Sequence, residues 1–106
     1  MNKSQVNAEI FKKAMKAGAE AVEGLDEKTD WYPCGFAWVN VTPGTSSFAR
    51  WLTKNGHGRR DSYYGGITIW CPLMTQKMVV KEAWARAVSN SLQAQGITAG
   101  MMSRID

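Results

Sequence analysis

The chain has one histidine, two cysteines and three prolines among its 106 residues. A structural zinc site takes four Cys or His ligands, so neither a metal centre nor a bound cofactor is expected in a single copy. Cys34 and Cys71 form no CxxC pair and are too few for a disulfide framework. Both stand in apolar runs, where cysteine behaves as a small hydrophobe, and both are expected to be reduced and buried. No apolar run approaches the ~18 residues that cross a bilayer. The opening MNKSQVNAEIFKK lacks the apolar stretch of an export signal. The expectation is a cytoplasmic protein with no membrane partner. Acid is scarce in one region: between residues 31 and 81 the only carboxylate is Asp61. That region therefore lacks the paired carboxylates of general acid–base chemistry.

What is present is apolar mass and unevenly placed positive charge. Hydrophobic residues make up 44% of the chain and five are Trp, a composition that forms a core. The length suits one domain, residues 1–106. Lys and Arg total 13 against 9 Asp and Glu, a net of +4. Residues 1–30 carry five Lys and six acids, and residues 82–106 carry two Arg and two acids. Residues 31–81 hold Arg50, Lys54, Arg59, Arg60, Lys77 and Lys81 against Asp61, a net of +5. A local basic surface points to phosphate-bearing or acidic partners.

The periodicities predict an order of elements. Residues 4–24 read as a helix capped by Ser4, with an apolar stripe of Val6, Ile10, Ala14, Ala17 and Ala21. LDEKTD is a polar link. CGFAWVNV, residues 34–41, is a strand with Phe36 and Trp38 on one face and Ala37, Val39 and Val41 on the other. Two apolar faces predict a central strand covered on both sides. SFARWLTK, residues 47–54, is a short helix burying Phe48, Trp51 and Leu52. NGHGRRDS has no apolar residue and two glycines, so a flexible loop is expected. GITIWC, residues 66–71, is a second strand. Residues 79–95 form a helix with a stripe of Val80, Ala83, Trp84, Ala87, Val88 and Leu92, and residues 97–105 a third strand. The second strand, long helix and third strand fit one right-handed crossover unit. This order predicts a two-layer α+β or α/β domain, with three or more strands against two long helices and one short one.

Several stretches taken together resemble a group of small bacteriophage and prophage proteins without an assigned activity. They are Tyr32-Pro33-Cys34-Gly35-Phe36-Ala37-Trp38-Val39, Tyr63-Tyr64-Gly65-Gly66, Lys81-Glu82-Ala83 and Ser103-Arg104-Ile105-Asp106. The likeness runs from about residue 31 to the end. It implies a phage-encoded protein acting in the cytoplasm of a host bacterium, where small phage proteins in general often act against host defence or on host machinery. It carries over no catalytic residue.

The strongest candidate site is the basic aromatic region Arg50, Lys54, Asn55, His57, Arg59, Arg60, Tyr63 and Tyr64. Arginine offers forked donors that match phosphate oxygens. Glycine-rich backbone brings amides near an anion, and Tyr rings offer stacking surfaces for bases. The competing reading is a solvated loop with its tyrosines packed on the sheet edge. A Cys–His pair, Cys34 or Cys71 with His57, is a weaker candidate for nucleophilic chemistry. The aromatic set Trp31, Tyr32, Phe36, Trp38, Phe48, Trp51, Trp70 and Trp84 is expected to be mostly core, with one or two members free for an interface. Three functions are thus in view. The first is a non-enzymatic binding protein for a nucleotide or nucleic acid. The second is a module that blocks or adapts a host protein. The third is a Cys/His enzyme. A homo-oligomer, pairing sheet edges or sharing the helices, is a further expectation.

Overall fold

The structure, a computed structural model, describes residues 1–28 and 32–106. The expected role of Trp31 in the aromatic set therefore lies outside the described residues. Helix α1 spans Lys3–Ala21, and its cap is Asn2 rather than Ser4. Asn2 Oδ1 accepts from the Gln5 amide at 2.8 Å, and Gln5 Oε1 accepts from the Asn2 amide at 2.9 Å. This reciprocal pair satisfies two of the free donors at the helix start, which a serine at position 4 would not do. The polar link contains one helical turn, α2 (Leu25–Lys28).

Strand β1 (Gly35–Val41) is followed by α3 (Ser47–Lys54), β2 (Arg59–Arg60), β3 (Ile67–Trp70), α4 (Met78–Ala94) and β4 (Ala99–Ile105). The sheet order is β2-β3-β1-β4 and every neighbouring pair is antiparallel. β1 is thus central, as its apolar character requires. Because β3 and β4 both run against β1, they run parallel to each other with β1 between them. α4 is therefore the crossover of a split βαβ unit. From β1 onward the connectivity is βαββαβ, with α1 added in front. An antiparallel sheet with long helices on one face makes this an α+β domain.

The region 55–62 is not simply a loop, since β2 pairs Arg59 with Thr68 and Arg60 with Ile67. Gly58 makes this approach possible: a Cβ there would stand 2.6 Å from Ile67 Cγ2 and 3.3 Å from Leu52 Cβ.

The core lies between one face of the sheet and the helices. Ala37, Val39 and Val41 of β1 and Ile67 and Ile69 of β3 meet Phe48, Ala49 and Leu52 of α3. Trp84, Ala85, Val88 and Leu92 of α4 and Ala14 of α1 complete the cluster. The buried line of α1 is Asn7, Ala14 and Gly18: it shares Ala14 with the expected stripe but takes the positions after Val6 and Ala17, and Val6 is 42% exposed. Gly18 sets this rotation. A Cβ there would stand 2.7 Å from both Trp84 Nε1 and Val88 Cγ2, so α1 meets α4 most closely where it has no side chain. Asn7 donates from Nδ2 to Ser47 Oγ at 3.1 Å, tying α1 to the start of α3.

The expected cover on both faces of β1 is not found, because the helices occupy only one. The register puts Phe36 opposite Arg104, Trp38 opposite both Trp70 and Met102, and Asn40 opposite Thr68 and Gly100. Residues directly opposite share a face. This second face is therefore an open one, apolar because its aromatic residues cover each other rather than because a helix covers them.

Candidate ligand-binding face

Two tryptophans form the centre of the open face. The Trp38 and Trp70 rings lie 5.0 Å apart between centroids. Trp70 is 52% exposed, whereas Trp38, between its neighbours, is only 7% exposed. Tyr64 leans over Trp38 at 6.5 Å and meets Tyr63 edge-on at 4.6 Å. Tyr63 is 85% exposed. Trp38, Asp61, Tyr63, Tyr64, Trp70 and Arg104 line a groove of about 380 Å³. Trp38 Nε1 is buried and has no hydrogen-bond partner among the described residues. A buried donor of this kind ordinarily finds an acceptor, so this one is unspent.

The tyrosines are positioned by three polar side chains. Asp61 Oδ1 accepts from the amides of Tyr64 at 2.8 Å and Tyr63 at 2.9 Å. Its Oδ2 accepts from Thr68 Oγ1 at 3.2 Å. Asn40 Nδ2 donates to the Gly65 carbonyl at 2.8 Å. The amides of Tyr64 and Tyr63 hold the Asp61 carboxyl below its ordinary value of 3.8. Gly66 closes the turn at φ +73°, where a Cβ would lie 2.5 Å from the Val41 carbonyl oxygen. The pair of tyrosines is therefore an anchored turn, not a loose loop. Asp61, the only carboxylate between residues 31 and 81, is its anchor. The sequence signal for it is an Asp followed at short range by Gly-Gly, the composition of an Asx turn.

The basic block divides between structure and surface. Lys77 pairs with Asp26 at 3.1 Å, also donates to the Asp26 carbonyl, and lies 5.2 Å from the Tyr32 ring. Lys81 is buried, donates to the Gly35 carbonyl at 3.1 Å and lies 5.2 Å from the Phe36 ring. Neither is free for a ligand. Arg50, Lys54, Arg59, Arg60 and Arg104 are exposed and form no ion pair among the described residues. Arg104 lies 5.4 Å from the Phe36 ring on the open face.

The residues predicted as one site fall on two sides of β2. Strand alternation sends Arg59 to the open face with Thr68, and Arg60 to the helix side with Ile67. Arg59 lines a shallow groove with His57, Thr68 and Trp70. Arg60 joins Arg50 and Lys54 of α3 around another groove of about 430 Å³. Tyr63 and Tyr64 belong to the open face. His57 is exposed, but its ring stacks on Phe11 at 4.4 Å and leans on Trp51 at 5.4 Å. Trp38, Trp70 and Arg104 are the functional candidates that a count of loop charges misses. The alternation Ile67-Thr68-Ile69-Trp70 carries the signal, because it puts Trp70 opposite to the core-facing isoleucines.

The thiols are poorly placed for nucleophilic chemistry. Cys34 is exposed rather than buried: it precedes β1, bridges Lys77 and accepts from the Asp106 amide at 3.1 Å through its backbone, and leaves its thiol outside the core. His57 leads into β2, two strands from β1 and about 10 Å across the sheet, so the two form no pair. Cys71 is half-buried, and burial pushes its thiol up, away from the reactive thiolate. Among the described residues, no group of three or more His, Cys, Asp or Glu is gathered where it could hold a metal ion. No helix among them is long and apolar enough to cross a membrane.

Fold and site together define a small α+β domain whose sheet, among the described residues, presents an aromatic face that no helix covers, edged by cations without an ion pair. No family model, curated protein or solved structure matches the chain.

Proposed function

We propose that this is a non-enzymatic binding protein that holds a phosphate-bearing ligand, a nucleotide or nucleic acid, on the open face of its sheet. The observation that carries the reading is the juxtaposition of Trp38, Trp70, Tyr63 and Tyr64 with the unpaired Arg59 and Arg104. Flat aromatic surfaces stack bases at about 1–3 kcal/mol each. Guanidinium groups at the margin match phosphate oxygens. The unspent N–H of Trp38 adds a donor for an acceptor atom of the ligand. Of the residues singled out in the sequence, Arg59, Tyr63 and Tyr64 act directly on this face. Arg50, Lys54 and Arg60 contribute charge from the neighbouring side of β2. His57 serves as an aromatic packing partner.

The resemblance to bacteriophage proteins supplies the setting: a phage accessory protein in a bacterial cytoplasm, acting on a host nucleotide or nucleic-acid complex in counter-defence. The test is a titration with nucleotides and oligonucleotides at two salt concentrations. Binding that weakens with salt and is lost in the Arg59→Ala/Arg60→Ala double variant supports the reading. Unchanged affinity in that variant removes the site assignment.

A second reading has its own observation. β4 is a seven-residue edge strand with no strand paired to its outer side among the described residues, and Ile105 on it is 67% exposed. Such an edge can accept another strand, either from a host protein or from a second copy of this chain. Sedimentation of the purified protein separates these cases: a dimer that Ser103→Pro abolishes supports self-pairing, and a monomer that captures no host protein removes both.

A further inference from the structure

The surface grooves are not scattered. The groove lined by Trp38 and Tyr64 and the groove lined by Arg59 share Trp70. The groove around Arg60 and the one at the junction of α1 and α3 share Arg50 and Lys54. Arg59 and Arg60 are consecutive and point to opposite sides of β2, so they join the two pairs across a strand only two residues long. The result is a track in which aromatic surface leads to cationic surface. Along it lie Arg104, Arg59, Arg60, Arg50 and Lys54, none of them neutralised by an acid among the described residues.

Resting on the binding reading above, the geometry points to a single-stranded nucleic acid, several nucleotides long, as the ligand. Unpaired bases stack on Trp70 and the tyrosines, and the sugar–phosphate chain crosses β2 to Arg60, Arg50 and Lys54. A lone nucleotide would use one groove and leave the rest of the charge idle. A duplex keeps its bases stacked on each other and offers no ring face to Trp70. A flexible single strand alone can present bare bases on one side of β2 and phosphates on the other.

The test is fluorescence polarisation with labelled octathymidylate and octauridylate, competed by thymidine monophosphate and by a twelve-base-pair duplex. Either octamer is expected to bind at least tenfold more tightly than the mononucleotide and the duplex. Trp70→Ala should weaken octamer binding roughly 5- to 100-fold through lost stacking. The triple variant Arg50→Ala/Lys54→Ala/Arg60→Ala should flatten the dependence of log affinity on log salt by about 2, near 0.7 for each phosphate released. A mononucleotide or duplex that binds as well as the octamers overturns the single-strand inference while leaving the binding reading intact. An unchanged salt slope in the triple variant overturns the path across β2. If no probe binds, the binding reading itself fails, and this inference with it.

Discussion

The two faces of this sheet are built from the same strands but kept apolar by different means. Toward the helices, Ala37, Val39 and Val41 alternate with residues of the other face and are sealed under α3 and α4. Toward solvent, Phe36, Trp38 and Trp70 are shielded by cross-strand neighbours, the Tyr63–Tyr64 turn and the cation of Arg104. The first face consists of branched and small aliphatic groups, which pack densely and offer nothing directional. The second consists of large flat rings, which leave part of their surface in water. Burial on the first face holds the fold together. Incomplete burial on the second leaves surface available for a ligand.

This contrast is tested by substitutions that damage one face only. Phe48→Ala empties a fully buried position between α3 and the sheet. It should cost about 3–5 kcal/mol of stability, measured by urea denaturation. Trp70→Ala on the open face should cost about 1 kcal/mol, the value of one exposed aromatic pair, while weakening ligand binding by about 1–3 kcal/mol. A comparable loss of stability from both would break the distinction. Gly18→Ala probes the α1–α4 contact. The added methyl meets Trp84 and Val88, and overpacking of about 1–3 kcal/mol should exceed the gain of about 1 kcal/mol in helix propensity. A rise in melting temperature would contradict the close approach of the two helices.

Acid tests the anchoring of the tyrosines. Asp61 has a depressed folded-state value, so its contribution is present above its ordinary 3.8 and is lost as pH falls through the lower folded value. The Tyr63–Tyr64 turn should loosen in that acidic window and remain unchanged above pH 5. Asp61→Ala should abolish the transition in the Tyr64 ring resonances. Persistence of the transition would assign it to another carboxylate, such as Asp26, whose value is lowered by Thr75 and Lys77. The smallest effect concerns the thiols. Exposed Cys34 should react with iodoacetamide faster than Cys71, which is half-buried and shifted upward.

Much of the fold was legible because local signals and tertiary packing agree. The period of α4 and the alternation of β1 each give a correct face, and an apolar strand such as β1 belongs in the middle of a sheet. α1 was less legible. Its apolar residues define one stripe, but Gly18 sets the line of closest approach, and a glycine adds nothing to a hydrophobic pattern. The open face was misread for a related reason. Two apolar sides of one strand look alike in sequence whether a helix or a set of neighbouring rings covers the second. The charged region was found, but not its division, since only pairing with β3 reveals that Arg59 and Arg60 leave β2 in opposite directions. Lys77 and Lys81 count as basic in any tally, although each is occupied by partners distant in sequence.

The central claim, that the uncovered aromatic face receives the ligand, is tested most directly by the indole N–H resonances of the tryptophans. Titration of ¹⁵N-labelled protein with octathymidylate should move the signals of Trp70 and Trp38, with Trp38 shifting downfield as its unpartnered N–H gains an acceptor. Trp84, sealed between α1 and α4, should stay in place. Shifts at Trp51 and Trp84 with Trp38 and Trp70 unmoved would contradict the account.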